Sequence, residues 1–282
     1  MITIHEGNIY SLNKTQELVA REVLAKLNGK RLKRLYSEFF RKVESQIKLR
    51  ILDSFPVVHS ITYPNQRSFI DITFLSKPRR NWPTPVSKGA VYHLRRLQSR
   101  AGKLINQGKI ITKDKNNKYN LAELATFQNR IDKALVKDLP EIISTINKSK
   151  NPKEKAENIL LLQFVKPTKR TLDTLYESLS SEYEIIQNNA AYVLSGYLPK
   201  YRPTNKQLGQ IISLLCSQFS APINKGLYLL LILMDHNPNS KLKKIICKEA
   251  SKFLTNKQPN IYLIAKMIND KCNHTPQTNL DI

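Results

Sequence analysis

The chain has 282 residues, of which 41% are hydrophobic and 24% charged, and these ordinary globular values exclude wholesale disorder and a fibrous architecture. Its net charge of +24 divides unevenly, with +16 on residues 1–134 and +8 on residues 135–282. Because so much positive charge repels itself in a compact chain, we expect a partner that is a polyanion or an acidic surface.

The first 86 residues predict two helices, a β-hairpin and a connector. Residues 14–52 carry apolar side chains at helical spacing, interrupted at Asn28-Gly29, and the second of the two helices is strongly basic. Alternating apolar residues on both sides of a turn cluster at 64–67 predict a β-hairpin over residues 57–75. Three prolines in residues 77–86 exclude helix and predict an extended connector.

Residues 89–107 return to a helical pattern that Gly108 is expected to end. At about 100° per residue, apolar side chains fall on one broad arc and basic side chains on a narrow arc opposite. A short hairpin with a charged tip is predicted over residues 109–121. The apolar arc holds Val91, Leu94, Leu97, Ala101, Leu104 and Ile105, and the basic arc holds Tyr92, Arg96, Arg100 and Lys103.

The most informative segment lies between Asp71 and Asp114, where 42 residues contain no Asp or Glu and ten basic side chains. We predict that this segment binds the phosphates of DNA or RNA. Trp82 and Tyr92 are predicted to stack on exposed bases, which favours single strands or RNA over a closed duplex, although Trp82 has an alternative role as an anchor for the connector. The candidate nucleic-acid-binding residues are Lys77, Arg79, Arg80, Trp82, Lys88, Tyr92, Arg95, Arg96, Arg100 and Lys103.

The helix and charged hairpin of residues 86–122 resemble the recognition helix and wing of winged-helix domains. That resemblance implies a helix in a groove of DNA and a wing on its backbone. The preceding hairpin and connector depart from the winged-helix pattern, which places a short helix and turn there. A surface helix packed on a hairpin with solvated arginines is the alternative.

From about residue 131 the pattern is helical and falls into pairs. The second pair, LDTLYESLSSEYEIIQNNAAYVLSGYL, resembles a HEAT repeat, with an outer helix, a short acidic turn and an inner helix carrying the small pair Ala190-Ala191. The resemblance implies that the small pair lets two helices approach closely, and the third unit departs from it with Lys225-Gly226. An irregular helical bundle is the alternative. The repeat starts are marked by Pro140, Pro167, Pro203 and Pro238, at spacings of 27, 36 and 35 residues.

These patterns together predict a mainly α protein with three parts. Residues 1–130 form a basic α+β domain with a β-hairpin and basic helices, the candidate nucleic-acid-binding domain. Residues 131–272 form an α–α solenoid of about four HEAT-like repeats. Residues 273–282 form a flexible tail.

Sequence motifs that would indicate an enzyme are weak in this chain. Glu44, Asp53, Asp71 and Lys77 resemble the carboxylates and lysine of PD-(D/E)xK nucleases, but Thr73 stands where that family has its lysine. A metal-dependent nuclease is therefore a lesser alternative, and no residue matches the AlkD-like DNA glycosylases, which also hold DNA in basic HEAT-like arrays. Phosphate-loop and dinucleotide glycine motifs are absent and the five histidines are scattered, so we predict no catalytic residue, metal or cofactor.

The cysteines and the apolar runs bear on localisation. Cys216, Cys247 and Cys272 are odd in number and lack CxxC spacing, which favours a reducing compartment. The N-terminus lacks a secretory leader pattern, and the longest apolar run is too short to span a bilayer. We expect a cytoplasmic, nucleoid or nuclear protein whose partner is nucleic acid, with a protein partner on the repeats. The alternative is an adaptor whose repeats bind an acidic protein, with the basic segment docked on it or on anionic lipid.

Overall fold

The computed structural model describes residues 82–83, 85, 88–112, 119–217, 219–236, 239–256 and 258–273, the backbone of two strands, and isolated positions 19, 22, 45 and 46. This part of the chain is mainly α-helical. The predicted helices of 14–52, apart from the isolated positions, and the predicted tail beyond residue 273 lie outside it. Two compact units divide the chain: Met1–Asn81, Gln218–Ser220 and Phe253–Leu263 form the first, and Trp82–Ser217, Ala221–Lys252 and Ile264–Ile282 the second.

In the first unit, two strands pair antiparallel. Strand β1 is Phe55–Thr62 and strand β2 is Ser68–Leu75, with Phe55 opposite Leu75 and Thr62 opposite Ser68. Both segments are rich in β-branched and aromatic residues, which favour extended backbone. The strands overlap the predicted hairpin of residues 57–75 and begin two residues before it.

The other elements that the structure describes are helical. Their starts follow from local chemistry: Asn151 caps the helix that begins at Pro152, and Thr168 and Thr204 each form a capping box with the residue three positions on. The helices are α1 Gly89–Asn106, α2 Ala122–Lys148, α3 Pro152–Leu161, α4 Lys169–Leu179, α5 Glu184–Tyr197, α6 Asn205–Ser213, α7 Ser220–His236, α8 Ser240–Ser251 and α9 Pro259–Asn273.

The core of the second unit forms where these helices pack side by side. Helix α2 packs on α1 and α3, α3 packs on α5, and α4 packs on both α5 and α6. Leu175, Leu179 and Leu194 are fully buried there, and each such side chain contributes about 1.5–3 kcal/mol of transfer free energy. Ala190 and Ala191 on α5 are also fully buried.

Helix α2 differs from the prediction in two respects, the domain boundary and the position of Pro140. It runs unbroken from Ala122 to Lys148, so the predicted domain boundary at 130/131 falls inside it, whereas the compact units divide at 81/82. Pro140, predicted near a repeat start, lies inside the same helix on its exposed side. The carbonyl that loses its helical donor belongs to Val136, whose side chain is also exposed, and water can hydrate it there.

The cysteines also differ from the expectation of reduced thiols. Cys247 on α8 and Cys272 on α9 form a disulfide with Cα atoms 6.0 Å apart, while Cys216 is free and exposed. Their separation of 25 residues carries no sequence signal, because only the packing of two helices brings them together. Among the helices described above, none is long and apolar enough to cross a bilayer.

Candidate nucleic-acid interface

Helix α1 carries five of the predicted binding residues, and a sixth, Lys88, immediately precedes it. A contact with α2 holds the first turn of α1. Lys88 precedes the helix and gives it no side-chain cap, but Asp138 of α2 accepts a hydrogen bond from the Ala90 N–H at 3.0 Å. A carboxylate at this position also complements the positive end of the helix dipole. Gly89 has φ +46°, and a Cβ there would lie 2.2 Å from the Asp138 Oδ2. A side chain at residue 89 would therefore displace the cap.

Arg95 lies on the side of α1 that faces α3. Its Nε and Nη2 each donate to a carboxylate oxygen of Glu157 at 2.7 Å, and Nη2 also donates to the Pro85 carbonyl at 3.0 Å. The hydrogen bonds that Arg95 donates to Glu157 are the main cause that raises the pKa of Arg95. Both side chains are about three-quarters covered, so the pair is partly withdrawn from water. Arg95 therefore joins α1 to α3 and has few donors left for phosphate.

Arg96, the next residue, has a different environment. Its guanidinium carbon lies 5.7 Å from the centre of the Tyr92 ring and 5.4 Å from that of Phe127 on α2, and Nη1 donates to the Tyr92 hydroxyl at 3.2 Å. Arg130 lies on the same Phe127 ring at 5.9 Å. We call Tyr92, Arg96, Phe127 and Arg130 the cation–aromatic strip. Two guanidinium groups and two rings thus alternate across the α1–α2 pair.

The cation–aromatic strip is open to solvent. Tyr92 is 44% exposed, and both arginines are exposed as well. Within the described residues, neither Arg96 nor Arg130 has a carboxylate partner. Their N–H groups are therefore available to an anion, while the rings hold the guanidinium planes in place.

The other basic residues of α1 divide between paired and free. Arg100 forms an exposed ion pair with Glu123 in the first turn of α2, with its Nε donating at 2.5 Å. Lys88 and Lys103 are exposed, and no described residue forms an ion pair with either. A surface pair such as Arg100–Glu123 contributes less than about 1 kcal/mol, so it can open when a phosphate competes.

Trp82 is held by contacts within the second unit. Its ring meets the edge of Tyr183 at 6.1 Å, and its carbonyl accepts from the Lys153 ammonium at 2.9 Å. One residue on, the Pro83 carbonyl accepts from Asn151 at 2.9 Å. These contacts match the alternative role of Trp82 as an anchor for the connector, and the ring keeps partial exposure.

An acidic cleft of about 440 Å³ lies at the N-terminal end of α1. The carboxylates of Asp138, Glu141, Glu154 and Glu157 line it together with Lys88. Asp138 caps α1 and Glu157 binds Arg95, so both already have structural roles. No set of three described His, Cys, Asp or Glu side chains in the structure is arranged to hold a metal ion.

The structure brings together part of the predicted set and adds two residues to it. Phe127 and Arg130 were missed because they lie beyond the acid-free window, although their spacing of three residues on a helix was a readable signal. Thr112 and Asn120 are hydrogen-bonded at the base of the predicted 109–121 hairpin, whose tip is outside the described residues. Also outside are Lys77, Arg79 and Arg80 and, for the nuclease alternative, Glu44, Asp53 and the side chain of Asp71.

The site supplies two unpaired guanidinium groups, two ring faces and two exposed lysines on one helix pair, α1 and α2. Guanidinium groups bind phosphate oxygens in pairs, and ring faces accept unstacked bases. Searches of protein-family models, curated proteins and solved structures found no match to this chain.

Proposed function

We propose that this protein binds nucleic acid through the cation–aromatic strip, with single strands of DNA or RNA preferred over duplexes. The observation that supports it best is the position of Arg96 between the Tyr92 and Phe127 rings with no described carboxylate partner. Arg95, by contrast, is paired with Glu157. Arg96 and Arg130 bind phosphates, and Lys88 and Lys103 add further positive charge.

The preference for single strands follows from the rings. An exposed aromatic face beside a cation can accept a base only when that base is unstacked, which costs more in a duplex than in a single strand. Tyr92 presents such a face, whereas Trp82 is held against Tyr183 and makes a smaller contribution. Arg95 is left out of the binding set because Glu157 occupies its donors.

We further propose that the helix pairs from α2 onward form a HEAT-like solenoid, and that the first unit is a basic α+β region with the paired strands as its sheet. Packing of α3 on α5 and of α4 on α6 supports the solenoid, since like helices of successive pairs would stack in this way. Gly226 supports it too, because an added Cβ would lie 3.0 Å from Leu214 and Leu215. In the third pair, Gly226 thus takes the close-packing role that Ala190-Ala191 has in the second.

The proposal is tested by equilibrium binding to single-stranded RNA, single-stranded DNA and a duplex of the same sequence. The double substitution Arg96→Glu with Arg130→Glu is expected to lower affinity for single strands by about 100-fold, because two phosphate contacts become repulsive. Wild-type protein that binds no better than a neutral protein would exclude the proposal.

A charge-matched control separates the site from the overall charge. Lys169→Glu with Lys206→Glu changes the net charge equally at exposed positions in the first turns of α4 and α6. Acidic residues are favoured in a first turn, so folding is expected to tolerate this variant. We expect its affinity to stay within about twofold of wild type. An equal loss in both variants would show that affinity follows net charge and that the strip has no special role.

A further inference from the structure

A second surface on the same compact unit combines ring faces with a cation. Tyr192 on α5 and Tyr228 on α7 are each 43% exposed, although large aromatic side chains are usually covered. The Lys225 ammonium lies 5.9 Å from the centre of the Tyr192 ring, and Tyr228 follows Lys225 by three residues, on the same side of α7. Tyr192, Lys225 and Tyr228 are called the α5–α7 patch below.

The patch is built rather than incidental. Lys225 is half-buried, and burial lowers its pKa. A half-buried cationic side chain held against a ring costs free energy unless an anion engages it.

The chemistry of the patch indicates the kind of ligand. Two ring faces accept flat aromatic groups, and Lys225 attracts a negative charge. Asp235, the acidic residue in the last turn of α7, is paired with Lys271 at 2.7 Å and does not offset Lys225. An unpaired nucleotide carries both complementary groups: a base plane and a phosphate.

We propose that the α5–α7 patch is a second stacking surface for single-stranded nucleic acid, with bases on Tyr192 and Tyr228 and a phosphate near Lys225. This inference rests on the proposed function and extends it to a second surface. A strand bound at both surfaces leaves more slowly than one bound at the strip alone.

The test compares Tyr192→Leu with Tyr228→Leu against Tyr192→Phe with Tyr228→Phe, using oligothymidylate of about 30 nucleotides. Leucine keeps apolar area but has no ring, whereas phenylalanine keeps the ring. Since one stacked base is worth about 1–3 kcal/mol on alanine substitution, we expect about a tenfold or larger loss of affinity for the leucine pair and little change for the phenylalanine pair. Photo-crosslinking of 5-iodouracil oligonucleotide to wild-type protein should label peptides with Tyr192 and Tyr228.

Each of the other outcomes would overturn a specific part of the two proposals. If the leucine pair binds as wild type while Arg96→Glu with Arg130→Glu loses affinity, the patch is not a nucleic-acid surface and the proposed function stands. Equal losses in the leucine and phenylalanine pairs would exclude stacking. Wild-type protein without affinity for the oligonucleotide excludes both proposals. If the leucine pair fails to fold, absence of crosslinks at both tyrosines in wild type overturns the inference alone.

Discussion

The two sides of helix α1 place neighbouring arginines in opposite situations. On one side, Arg95 is bound by both oxygens of Glu157, and an acidic cleft lies beside it. On the other, Arg96 rests between the rings of Tyr92 and Phe127 without a described carboxylate partner. The two residues carry the same charge and are consecutive in sequence. The number of basic residues in a segment therefore does not give the number that can bind a partner.

The two arginines differ in how easily a phosphate can replace their present contacts. The ion pair of Arg95 is partly buried, and breaking it leaves a carboxylate withdrawn from water. Apart from the hydrogen bond that Nη1 donates to the Tyr92 hydroxyl, the cation–π contacts of Arg96 leave its N–H groups open to solvent, so a phosphate replaces mainly water. We therefore expect changes on the Glu157 side to alter stability and changes on the strip side to alter binding.

The largest effect is expected from Gly89→Ala, which disturbs the start of α1. Residue 89 would be held at φ +46° with its Cβ 2.2 Å from the Asp138 carboxylate. We expect the free energy of unfolding to fall by about 2–3 kcal/mol, measured by chemical denaturation. Gly102→Ala is the control, since nothing lies within 4 Å of its Cβ position. Gly102→Ala should raise the free energy of unfolding by up to about 1 kcal/mol, because alanine is a better helix former than glycine. Equal changes in the two variants would refute the role of the Asp138 cap.

The next largest effect is expected from substituting Arg95 and Arg96 one at a time. Arg95→Met should lower stability by about 1–3 kcal/mol, because Glu157 loses its partner, and should leave nucleic-acid affinity within about twofold. Arg96→Met should leave stability nearly unchanged and lower affinity by about tenfold. Thermal unfolding and fluorescence anisotropy give the two readouts. If Arg95→Met is the variant that loses affinity, the assignment of the two sides is reversed.

How far the sequence predicted this arrangement is clear along α1. Helical periodicity placed the helix at 89–107, against Gly89–Asn106 in the structure, and put Leu94, Leu97 and Leu104 inside, where they are buried. Ile105 was predicted on the same apolar arc but is 60% exposed. Periodicity orders side chains around one helix, but it does not say how far the neighbouring helix covers that arc.

The sequence did not predict which residues that are far apart along the chain would meet. Glu157 lies 62 residues from Arg95, and the two meet only because α3 packs against α1. The same limit applies to Phe127 beside Arg96 and to the disulfide between Cys247 and Cys272. The helices from α2 to α9 followed from local patterns, since capping residues and apolar spacing are encoded within each segment.

A smaller effect is expected from freeing Arg100. Glu123→Gln removes the charge that holds Arg100, so that arginine becomes available beside the strip. We expect affinity for single strands to rise by about twofold to fivefold at low salt and to return toward wild type at high salt. Glu141→Gln, on the cleft side, is the matched control and should have less effect. An unchanged affinity in Glu123→Gln would show that Arg100 lies outside the binding surface.

The smallest effect on binding is expected from alkaline pH. Guanidinium groups stay charged, so affinity should hold up to about pH 10. Stability should decline above that value, because burial raises the pKa of Tyr119 to about 12. A raised tyrosine pKa contributes stability that is complete below the unfolded pKa, about 10, and lost as pH rises toward the folded value. Phenolate absorbance and binding titrations at several pH values check both statements; affinity that falls between pH 7 and about 9 would mean that a group other than the strip guanidiniums controls binding.

The salt dependence of binding tests the central claim most directly. Each phosphate contact to a single strand contributes about −0.7 to the slope of log affinity against log salt. Wild-type protein should give a slope steeper by about 1–2 than the Arg96→Glu, Arg130→Glu variant, while Lys169→Glu with Lys206→Glu keeps the wild-type slope. The same slope for wild type and the strip variant would mean that these two arginines do not contact phosphate, and the account given for this surface would be wrong.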